Sequence, residues 1–499
     1  MCPEFLIVKM EKEELKQELV KFLLDKGQLV TKDILDKIES KEDLLLLYEK
    51  LKDDDSLFFN EKIVDKLNQI KQDENIVHIE DDKTIKIISS YEEESKKRCV
   101  QDFVSYFNKR FNSLSSILKS RSELSNLVSI NRVKDIRERE KVSIIGLVKD
   151  KNTTKTGNVL VEIEDPTGNI KVCMHKSKPE LLEKAKDIVL DEVIGILGSA
   201  SNNFVFVDNI IVPDVPFTKQ LKKSNEEEYA VFISDLHVGS NNFMEKELVK
   251  FIRWLNGDLG SEAQKAVSKK VKYVFIVGDL IDGVGIYPGQ EDELTIKDVY
   301  KQYGYCAELL KKISPEKKLI ICPGNHDSMR IAEPQPVLYK DFAGPIWDLP
   351  NVTMVSNPSF VNIGSNSDFP GFDVLLYHGF SFDYFVANVE NIRNKGGYDR
   401  PDLIMKFLLQ RRHLAPTHTS TLYIPEQSRD PLVIDALPDF FVTGHIHKSS
   451  VSLYRNISLI CCSCWQSKTA FQEKVGHHPE PCRVPIVNLK TREVKVMRF

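Results

Sequence analysis

Asp279 is the residue whose type and position most clearly suggest chemistry. It follows the apolar run Val274–Val277 and the small residue Gly278. A mostly β-branched run of this kind is typical of a strand buried on both faces, and open α/β sheets place their ligands at the carboxyl ends of such strands. A carboxylate there can bridge two cations, because its two oxygens point to different centres. Taken alone, Asp279 is explained equally well as the cap of a following helix.

Four more groups of Asp, Asn and His residues follow predicted strands in the same way. Residues two apart in an extended segment point to the same side, so Asp235 and His237 can hold one ion together. His445 and His447 repeat this spacing. The carboxyl ends of strands in a single sheet converge, which predicts one shared site. The four further strands are Tyr229–Ser234, Leu319–Cys322, Val374–Tyr377 and Phe440–Thr443, and the predicted ligands are Asp235, His237, Asp279, Asn325, His378, His445 and His447.

These ligands combine carboxylate and amide oxygens with imidazole nitrogens, which is enough for two cations. Two-metal enzymes hold their ions about 3.5–4 Å apart. Nitrogen and oxygen ligands without thiolate suit Mn, Fe, Ni, Co or Zn better than Mg or Ca. We therefore expect two divalent cations, with Mn²⁺ as the first candidate. A single Asp-x-His or His-x-His pair occurs by chance, with a structural histidine as the usual explanation, but a series of such groups in this order does not.

The sequence before these groups divides into regions of different periodicity. Residues 1–72 have apolar residues at helical spacing and predict a small helical bundle that serves as an interaction domain. Residues 73–135 are rich in charge, as in Glu80-Asp81-Asp82, and predict a linker that ends in an amphipathic helix. One face of that helix is predicted to carry Phe103, Phe107, Phe111, Leu114 and Leu118.

Residues 136–215 change to a period of two, which is typical of β-strands. Five strands are predicted, with a helical piece near residues 179–185 between the third and the fourth, which is the order of an OB-fold barrel. OB-folds bind single strands through aromatic side chains on a basic face. This segment is poor in aromatics, which favours a structural or partner-docking role. Residues 225–499 alternate strand and helix, so the chain is expected to be a multidomain α/β protein.

Bulk composition narrows the class of protein. The chain has 499 residues, enough for several domains, and its net charge of −5 argues against an unselective nucleic-acid coat protein. Its 9 cysteines are an odd number scattered along the chain, which is typical of reduced thiols in a cytosol. No apolar run is long enough for a membrane span or a secretory signal, so a cytoplasmic location is expected.

In this order, the five groups resemble the signature of calcineurin-like metallophosphoesterases: Asp-x-His, Gly-Asp, Gly-Asn-His-Asp, His-Gly and Gly-His-x-His. The resemblance implies an α/β sandwich for residues 225–499. It implies that His326 protonates the leaving oxygen of a phosphate ester, that Asp327 orients the His326 imidazole, and that a bridging water is the nucleophile. One ion is then held by Asp235, His237, Asp279 and His447, and the second by Asp279, Asn325, His378 and His445.

The chain as a whole resembles the small subunit of archaeal family-D DNA polymerase. The resemblance rests on the order of helical domain, charged linker, OB-fold and phosphoesterase, and on the segment 464–472. It implies a 3′–5′ proofreading exonuclease that acts on a single-stranded or mismatched primer 3′ end at the nucleoid. The implied partners are the large catalytic polymerase subunit and, as a further candidate, a sliding clamp. Two alternatives stay open: a non-catalytic scaffold, and a phosphatase or small phosphodiesterase on the same fold.

A basic stretch lies between the His378 motif and the last motif. Its placement makes it a candidate for contacts with DNA phosphates, and a solvated helix face is the equal alternative. The candidate residues are Arg393, Lys395, Arg400, Arg411 and Arg412.

The last part of the chain contains clustered cysteines and two adjacent histidines outside the five groups. The cysteine spacing matches no common zinc site, and buried thiols are expected instead. The histidines are expected to be loop residues. The residues concerned are Cys461, Cys462, Cys464 and Cys482, and His477 and His478.

Overall fold

Two six-stranded β-sheets and a closed five-stranded barrel make up the described part of the chain. The computed structural model describes residues 20–21, 85–92, 97–201, 204–474 and 476–499. Apart from Val20 and Lys21, the helical domain predicted for residues 1–72 lies outside the described residues and stays a prediction. The multidomain α/β class and the five-stranded barrel are confirmed.

The strands and helices are numbered here in chain order. The strands are β1 (Ile85–Ser90), β2 (Lys141–Thr153), β3 (Val159–Asp165), β4 (Gly168–Met174), β5 (Val193–Ser201), β6 (Phe204–Ile211), β7 (Tyr229–Ile233), β8 (Val271–Val277), β9 (Lys318–Cys322), β10 (Val352–Met354), β11 (Ser359–Ile363), β12 (Phe372–Leu376), β13 (Phe440–Thr443), β14 (Ser450–Tyr454), β15 (Ile457–Cys461), β16 (Arg483–Asn488) and β17 (Val494–Arg498). The helices are α1 (Val100–Lys119), α2 (Pro179–Lys186), α3 (Glu245–Leu255), α4 (Glu262–Lys269), α5 (Val299–Leu310), α6 (Lys340–Trp347), α7 (Phe382–Asn388), α8 (Glu390–Asn394), α9 (Pro401–Arg411) and α10 (Ala470–Lys474). None of the helices in these described ranges is long and apolar enough to cross a membrane.

The barrel has an apolar interior because its strands alternate between apolar residues that point inward and polar residues that point outward. On β3, for example, Val161 and Ile163 are fully buried, while Glu162 between them is not. The strands pair in the order β2-β3-β4-β6-β5, and β2 also pairs with β5. Helix α2 lies between β4 and β5, as the sequence predicts for an OB-fold connectivity.

Sheet I (β10-β9-β8-β7-β16-β17) and sheet II (β1-β11-β12-β13-β15-β14) pack face to face. The ring of Phe232 on β7 lies with its centroid 6.0 Å from that of Phe440 on β13, in the layer between the sheets. The alternate residues of β7, Val231 and Ile233, belong to a second core that includes residues of α3 and α5. Because β7 is covered on both faces, its sequence is continuously apolar.

The strands that carry the predicted ligands do not lie in a single sheet, which corrects the sequence prediction. Strands β7, β8 and β9 are parallel neighbours in sheet I, whereas β12 and β13 are parallel neighbours in sheet II. The carboxyl ends of both sets still meet, because side chains that follow them are in contact across the two sheets. An apolar run indicates that a strand is buried, but it does not indicate which sheet the strand joins.

Residues 85–90 correct the predicted linker 73–135. They form β1, which pairs antiparallel with β11 at the edge of sheet II. Tyr91 follows and is buried, with its backbone N–H donating to Ser356 Oγ at 2.7 Å and its hydroxyl donating to Glu426 Oε1 at 3.1 Å. The short apolar run of β1 is hard to recognise in the sequence because acidic residues stand on both sides of it.

Helix α1 is the predicted amphipathic helix, and it packs against the barrel and against sheet-II elements. The buried face of the helix includes polar residues. In the first half of the helix this face is shifted by one residue from the prediction: Tyr106 and Arg110 are buried, whereas Phe107 and Phe111 were expected to be. Leu114 and Leu118 pack with barrel residues as predicted. The complete buried set is Asp102, Tyr106, Arg110, Leu114, Ser115 and Leu118.

A chain that begins at Lys83 is expected to fold, whereas a chain that begins at Lys97 is expected to be less stable and to aggregate. The longer form keeps β1 and the buried Tyr91. The shorter form leaves the edge of β11 unpaired, and an open strand edge is a site for association with other chains. Thermal unfolding and gel filtration of the two forms measure the difference. Equal midpoints and equal solubility would show that β1 is dispensable and that the boundary lies after residue 96.

Candidate metal centre

The structure brings all seven predicted ligands into one cluster at the carboxyl ends of β7, β8, β9, β12 and β13. Most of them line a cavity of about 270 Å³, and Asp235 and His378 lie fully buried beneath it. Ligand atoms of Asp235, His237 and His447 lie within 4.8 Å of one another, as do those of Asp235, Asp279 and His378. The cluster therefore has the density of donor atoms that a metal centre requires.

The first half of the cluster comes from the turns after β7, β8 and β13. His237 Nε2 lies 3.0 Å from His447 Nε2. Asp235 Oδ1 lies 3.4 Å from His447 Nε2, and Asp279 Oδ2 lies 3.8 Å from His237 Nε2. Two carboxylates and two imidazoles thus converge on one point.

The second half shares Asp279 with the first. Asp279 Oδ2 lies 3.3 Å from His378 Nε2. The amide oxygen of Asn325 lies 3.0 Å from His378 Nε2 and 2.9 Å from His445 Nδ1. Asp279 therefore lies next to both halves, and Asp235, whose ligand atom groups with those of Asp279 and His378, also lies close to the second half.

The second nitrogen of each imidazole in the cluster has a hydrogen-bond partner, which leaves one nitrogen directed at the other ligands. Such outer contacts fix the orientation of metal-binding histidines. The pairs are His237 Nδ1 with Asp282 Oδ1 at 2.9 Å, His378 Nδ1 with the Val277 carbonyl at 2.9 Å, His445 Nε2 with Asp383 Oδ2 at 3.0 Å, and His447 Nδ1 with the Gln472 amide at 2.9 Å.

Sequence reasoning missed Asp282, Asp383 and Gln472, which make these outer contacts. Asp282 could have been suspected, because it stands only three residues after Asp279. Asp383 is a single acid on α7, and Gln472 on α10 is more than twenty positions away in sequence from every predicted ligand. Their contacts depend on the packing of separate elements, which no local pattern records.

Backbone conformation is unusual at five of the ligands. Asp235, His237, Asp279, His445 and His447 have φ of 53°, 52°, 53°, 73° and 55°, in the left-handed region that side chains other than glycine rarely occupy. Conformations of this kind cost on the order of 1–3 kcal/mol each and persist where the surrounding structure enforces them. The packing around these turns therefore holds the ligands in place against a local backbone cost.

A neighbouring glycine makes room for the shared carboxylate. A Cβ at Gly324 would lie 2.2 Å from Asp279 Oδ1, closer than any real contact. The same oxygen accepts a hydrogen bond from the backbone N–H of His326 at 2.8 Å. The backbone of the Gly-Asn-His-Asp turn therefore packs closely around Asp279. A glycine is needed at position 324 because any side chain there would overlap the Asp279 carboxylate.

Buried carboxylates select positive charge in this cluster. Burial would by itself lower the pKa of His378, but Asp279 and Asp235 raise that pKa to about 10. Burial would raise the pKa of Asp279, but His378 and His326 bring it well below its usual range. The buried carboxylates and imidazoles grouped here are donors of the kind that can hold a metal ion.

His326 and Asp327 do not contact each other in the expected way. The Nδ1–H of His326 donates to the carbonyl oxygen of Asp282 at 2.8 Å, and burial lowers the pKa of this imidazole. The Asp327 carboxylate instead accepts from the backbone N–H of Gly324 at 2.8 Å and from the Tyr303 hydroxyl at 3.3 Å. Asp327 thus braces the turn, and Asp282 orients His326.

Two of the five basic candidates for DNA contact are corrected by the structure. Arg411 is buried, with its Nε 3.0 Å from Glu192 Oε2, and Arg412 is buried with its Nε donating to the Ile434 carbonyl at 2.6 Å. Helix α9 packs these residues against other parts of the fold, which a count of positive charges does not reveal. The exposed candidates are Arg393, Lys395 and Arg400, and Arg400 is paired with Asp402.

The structure confirms the expectation for the clustered cysteines of the last segment and adds a contact for one of its two histidines. All four clustered cysteines are free and buried, as expected. His477 and His478 lie outside helices and strands, as expected, but His477, which has no clear partner in the sequence, lines the cavity and lies with its ring centroid 4.2 Å from that of Tyr398. His478 is exposed.

Comparison with known proteins defines the class of this chain. Residues 230–452 match the family of DNA polymerase alpha/epsilon B subunits. The chain is 40% identical over 390 residues to the DNA polymerase II small subunit of Methanothermobacter thermautotrophicus, covering 78% of each chain. It is 38% identical over 413 residues to that of Methanocaldococcus jannaschii, covering 82% of this chain and 67% of the relative. With the Archaeoglobus fulgidus protein it shares 38% identity over 389 residues, 78% of this chain and 75% of the relative.

The chain belongs to the family of archaeal DNA polymerase II small subunits, the small subunits of family-D DNA polymerase. The family predicted from the order of domains and motifs is therefore confirmed.

Proposed function

We propose that this subunit is a metal-dependent 3′–5′ exonuclease that removes nucleotides from a primer end during DNA replication. The observation that carries the proposal is the pair of ligand sets that share Asp279, with every imidazole oriented by an outer hydrogen bond. Residues 225–499 act as a calcineurin-like phosphoesterase domain and residues 136–215 as an OB-fold domain. Two divalent cations, with Mn²⁺ as the first candidate, are the cofactors.

The division of labour in the site follows from its chemistry. Two divalent cations held by these ligands would supply polarisation of a phosphate and a lowered pKa of a bound water. The protein itself holds the imidazoles in one orientation through Asp282, Asp383, Gln472 and the Val277 carbonyl. Asp279 contributes the charge that both ligand sets need, and the tight turn at Gly324 keeps it in place.

His326 is the proton donor of the proposed reaction. Its Nδ1–H is committed to the Asp282 carbonyl, so Nε2 is the nitrogen that meets the leaving oxygen. Burial favours the neutral ring, and the negative charge of a bound phosphate favours the imidazolium that donates a proton from Nε2. Asp327 supports this arrangement by bracing the turn and not by touching the imidazole.

The cavity suits the end of a single strand. Its volume of about 270 Å³ is close to the lower bound of ligand pockets, roughly 300 Å³, a size that suits one terminal nucleotide. One wall of the cavity, next to the proposed ligands, is formed by the side chains of Ile286, Tyr287 and Phe380. As a polymerase small subunit, the chain is proposed to work in complex with the large catalytic subunit, which passes a melted primer end to this site.

An assay with end-labelled primer tests the proposal. Release of mononucleotides from the 3′ end with Mn²⁺, abolished by a chelator, is expected for the purified chain and its complex with the large subunit. Hydrolysis of simple phosphate esters without DNA cleavage would favour a phosphatase or small phosphodiesterase. Absence of any hydrolysis in the complex would favour a scaffold.

Replacing His326 by alanine is expected to lower the rate of DNA hydrolysis by on the order of 10²–10⁴ while both metals stay bound. The loss follows from removing the proton donor, which neither proposed ligand set includes, although its ring nitrogen groups within 4.8 Å with ligand atoms of His237 and Asp279. Metal content by mass spectrometry and single-turnover rates measure the two effects, with the exposed His478→Ala variant as the matched control. Loss of a metal in His326→Ala would make this residue a ligand and overturn its assigned role.

A further inference from the structure

The barrel exposes its aromatic side chains instead of burying them. Phe204 and Phe206 are the two aromatic residues between positions 136 and 215, and they stand two apart on β6. Their side chains are 39% and 48% exposed, whereas Val205 and Val207 on the same strand are buried in the core. Since large apolar rings are normally favoured in a core, two exposed rings on one face indicate a surface that binds something.

The spacing of the rings suits successive bases. Residues two apart on a strand lie roughly 6.5–7 Å apart, about twice the 3.4 Å step of stacked bases. Two neighbouring bases of an extended strand can therefore each meet a ring. Strand β6 pairs with β4, the third strand of the barrel, and the second and third strands form the oligonucleotide face of OB-folds.

Lysines lie on β4 and on the strands and turns next to it and to β6. Lys171 on β4 is exposed and is the register partner of Phe204. Beyond Phe206, Lys141 and Lys178 both pair with Asp208, which leaves an excess of positive charge. Lys176 follows the end of β4. Its backbone N–H donates to Asn158 Oδ1 at 3.0 Å, which places it beside the loop before β3.

Negative charge near the rings comes from Asp208, which pairs with two lysines, and from Glu138, which accepts from the hydroxyl of Ser201, the register partner of Phe204, at 3.3 Å. Glu162 on β3 is the other register partner of Lys171, but its carboxylate lies 3.2 Å from Lys149 Nζ. Protein interfaces are depleted in lysine at their centres, whereas surfaces for single strands combine stacking rings with basic residues. The chemistry around Phe204 and Phe206 therefore favours a nucleic-acid strand over a protein partner.

We propose that the outer face of the barrel around Phe204, Phe206 and Lys171 binds single-stranded DNA by stacking bases on the two rings. Nearby lysines hold the phosphates of the same strand. The proposal depends on the proposed function in one respect only: work at a primer end would bring single-stranded DNA to this protein. The site is separate from the metal centre and belongs to a different domain.

Binding of a fluorescein-labelled 20-nucleotide thymidylate to the full chain, in chelator, tests the site apart from hydrolysis. The Phe204→Ser/Phe206→Ser variant is expected to raise Kd by at least about tenfold, because base stacking on aromatic side chains is lost. The matched control is Phe217→Ser, which removes a ring that is 84% exposed and lies outside the barrel, and it should leave Kd unchanged. Thermal unfolding checks that each variant is folded.

A second variant keeps the test independent of the double substitution. Lys171→Gln should weaken binding and reduce the slope of log Kd against log salt by roughly 0.7. Unchanged affinity in both variants, or no binding by the unaltered chain, would overturn the proposal. So would a double variant that binds thymidylate normally but no longer co-purifies with the large subunit, which would make the face a protein interface.

Hydrolysis of bis(p-nitrophenyl) phosphate, measured in parallel, separates this proposal from the proposed function. Lost thymidylate binding with normal ester hydrolysis would support a separate site. The double variant could also lose thymidylate binding while the unaltered chain cleaves neither ester nor DNA. That result would still support the binding site and would refute the proposed exonuclease.

Discussion

Replacing Asp279 by alanine is expected to abolish DNA hydrolysis and to remove bound metal from both positions. Asp279 Oδ2 lies 3.8 Å from His237 Nε2 and 3.3 Å from His378 Nε2, so its carboxylate is common to the two ligand sets. Its other oxygen accepts the backbone N–H of His326 at 2.8 Å, so the substitution also releases the turn that carries the proton donor. One change thus affects metal binding and acid catalysis together.

The asparagine variant separates charge from shape. Asp279→Asn keeps the size of the side chain and one oxygen, but removes the negative charge that two cations share. We expect activity to fall with metal content, and the loss should be only partly rescued by excess Mn²⁺. Metal analysis and single-turnover rates follow both quantities.

The matched control is Asp292→Asn, which neutralises an exposed acid in the same domain. It should change neither metal content nor rate. Near-normal turnover in either Asp279 variant would refute the two-metal site.

Replacing Arg110 by methionine is expected to destabilise the chain by about 3–5 kcal/mol, the usual effect of removing one partner of a buried ion pair. Arg110 on α1 is fully buried, and its Nε lies 2.7 Å from Asp430 Oδ2. Its Nη1 donates to the Pro416 carbonyl at 2.6 Å, and its guanidinium carbon lies 4.8 Å from the Phe107 ring centroid. The variant would leave Asp430 buried without its cation.

Urea unfolding of Arg110→Met measures the loss, and Arg132→Met, which removes an exposed arginine, is the control. A double variant, Arg110→Met with Asp430→Leu, should recover much of the stability, because an apolar pair avoids the cost of burying charge. If the double variant is no more stable than Arg110→Met, the loss comes from packing and not from the unpaired carboxylate.

The same pair makes stability depend on pH. Burial would raise the pKa of Asp430, but Arg110 and His413 bring it far below the usual value. The folded state therefore keeps this carboxyl ionised at pH values where the unfolded chain takes up a proton. Its contribution is complete above the normal carboxyl pKa of about 3.9 and is lost as the pH falls below it.

The ligands could be predicted because each is local to a strand end. Asp235, Asp279 and Asn325 follow apolar runs whose length and composition indicate buried strands, and glycine accompanies two of them. Partners that reach the site from other elements could not be predicted in this way. Asp383 comes from α7 and Gln472 from α10, and their roles exist only once those helices are packed.

Errors in the prediction have the same origin. Arg411 and Arg412 have the composition of a DNA-binding surface, but α9 turns them inward to Glu192 and to the Ile434 carbonyl. Arg110 stands in the buried stripe of α1 because Asp430, 320 positions away, supplies its counter-charge. Hydrophobic patterning treats each of these arginines as solvent-exposed.

Five residues of the proposed metal site have a backbone conformation with positive φ, which positions their side chains but costs stability. Selection for folding and selection for chemistry therefore act in opposite directions at these positions. At Asp235, His237, Asp279, His445 and His447, glycine would relieve the backbone, because it adopts positive φ without a steric penalty. A lineage that no longer used the proposed site could accept glycine at these positions without this backbone cost, but it would lose the contacts of the buried side chains. The identity of the residues at these five turns therefore reports whether a descendant of this chain still depends on the proposed metal site.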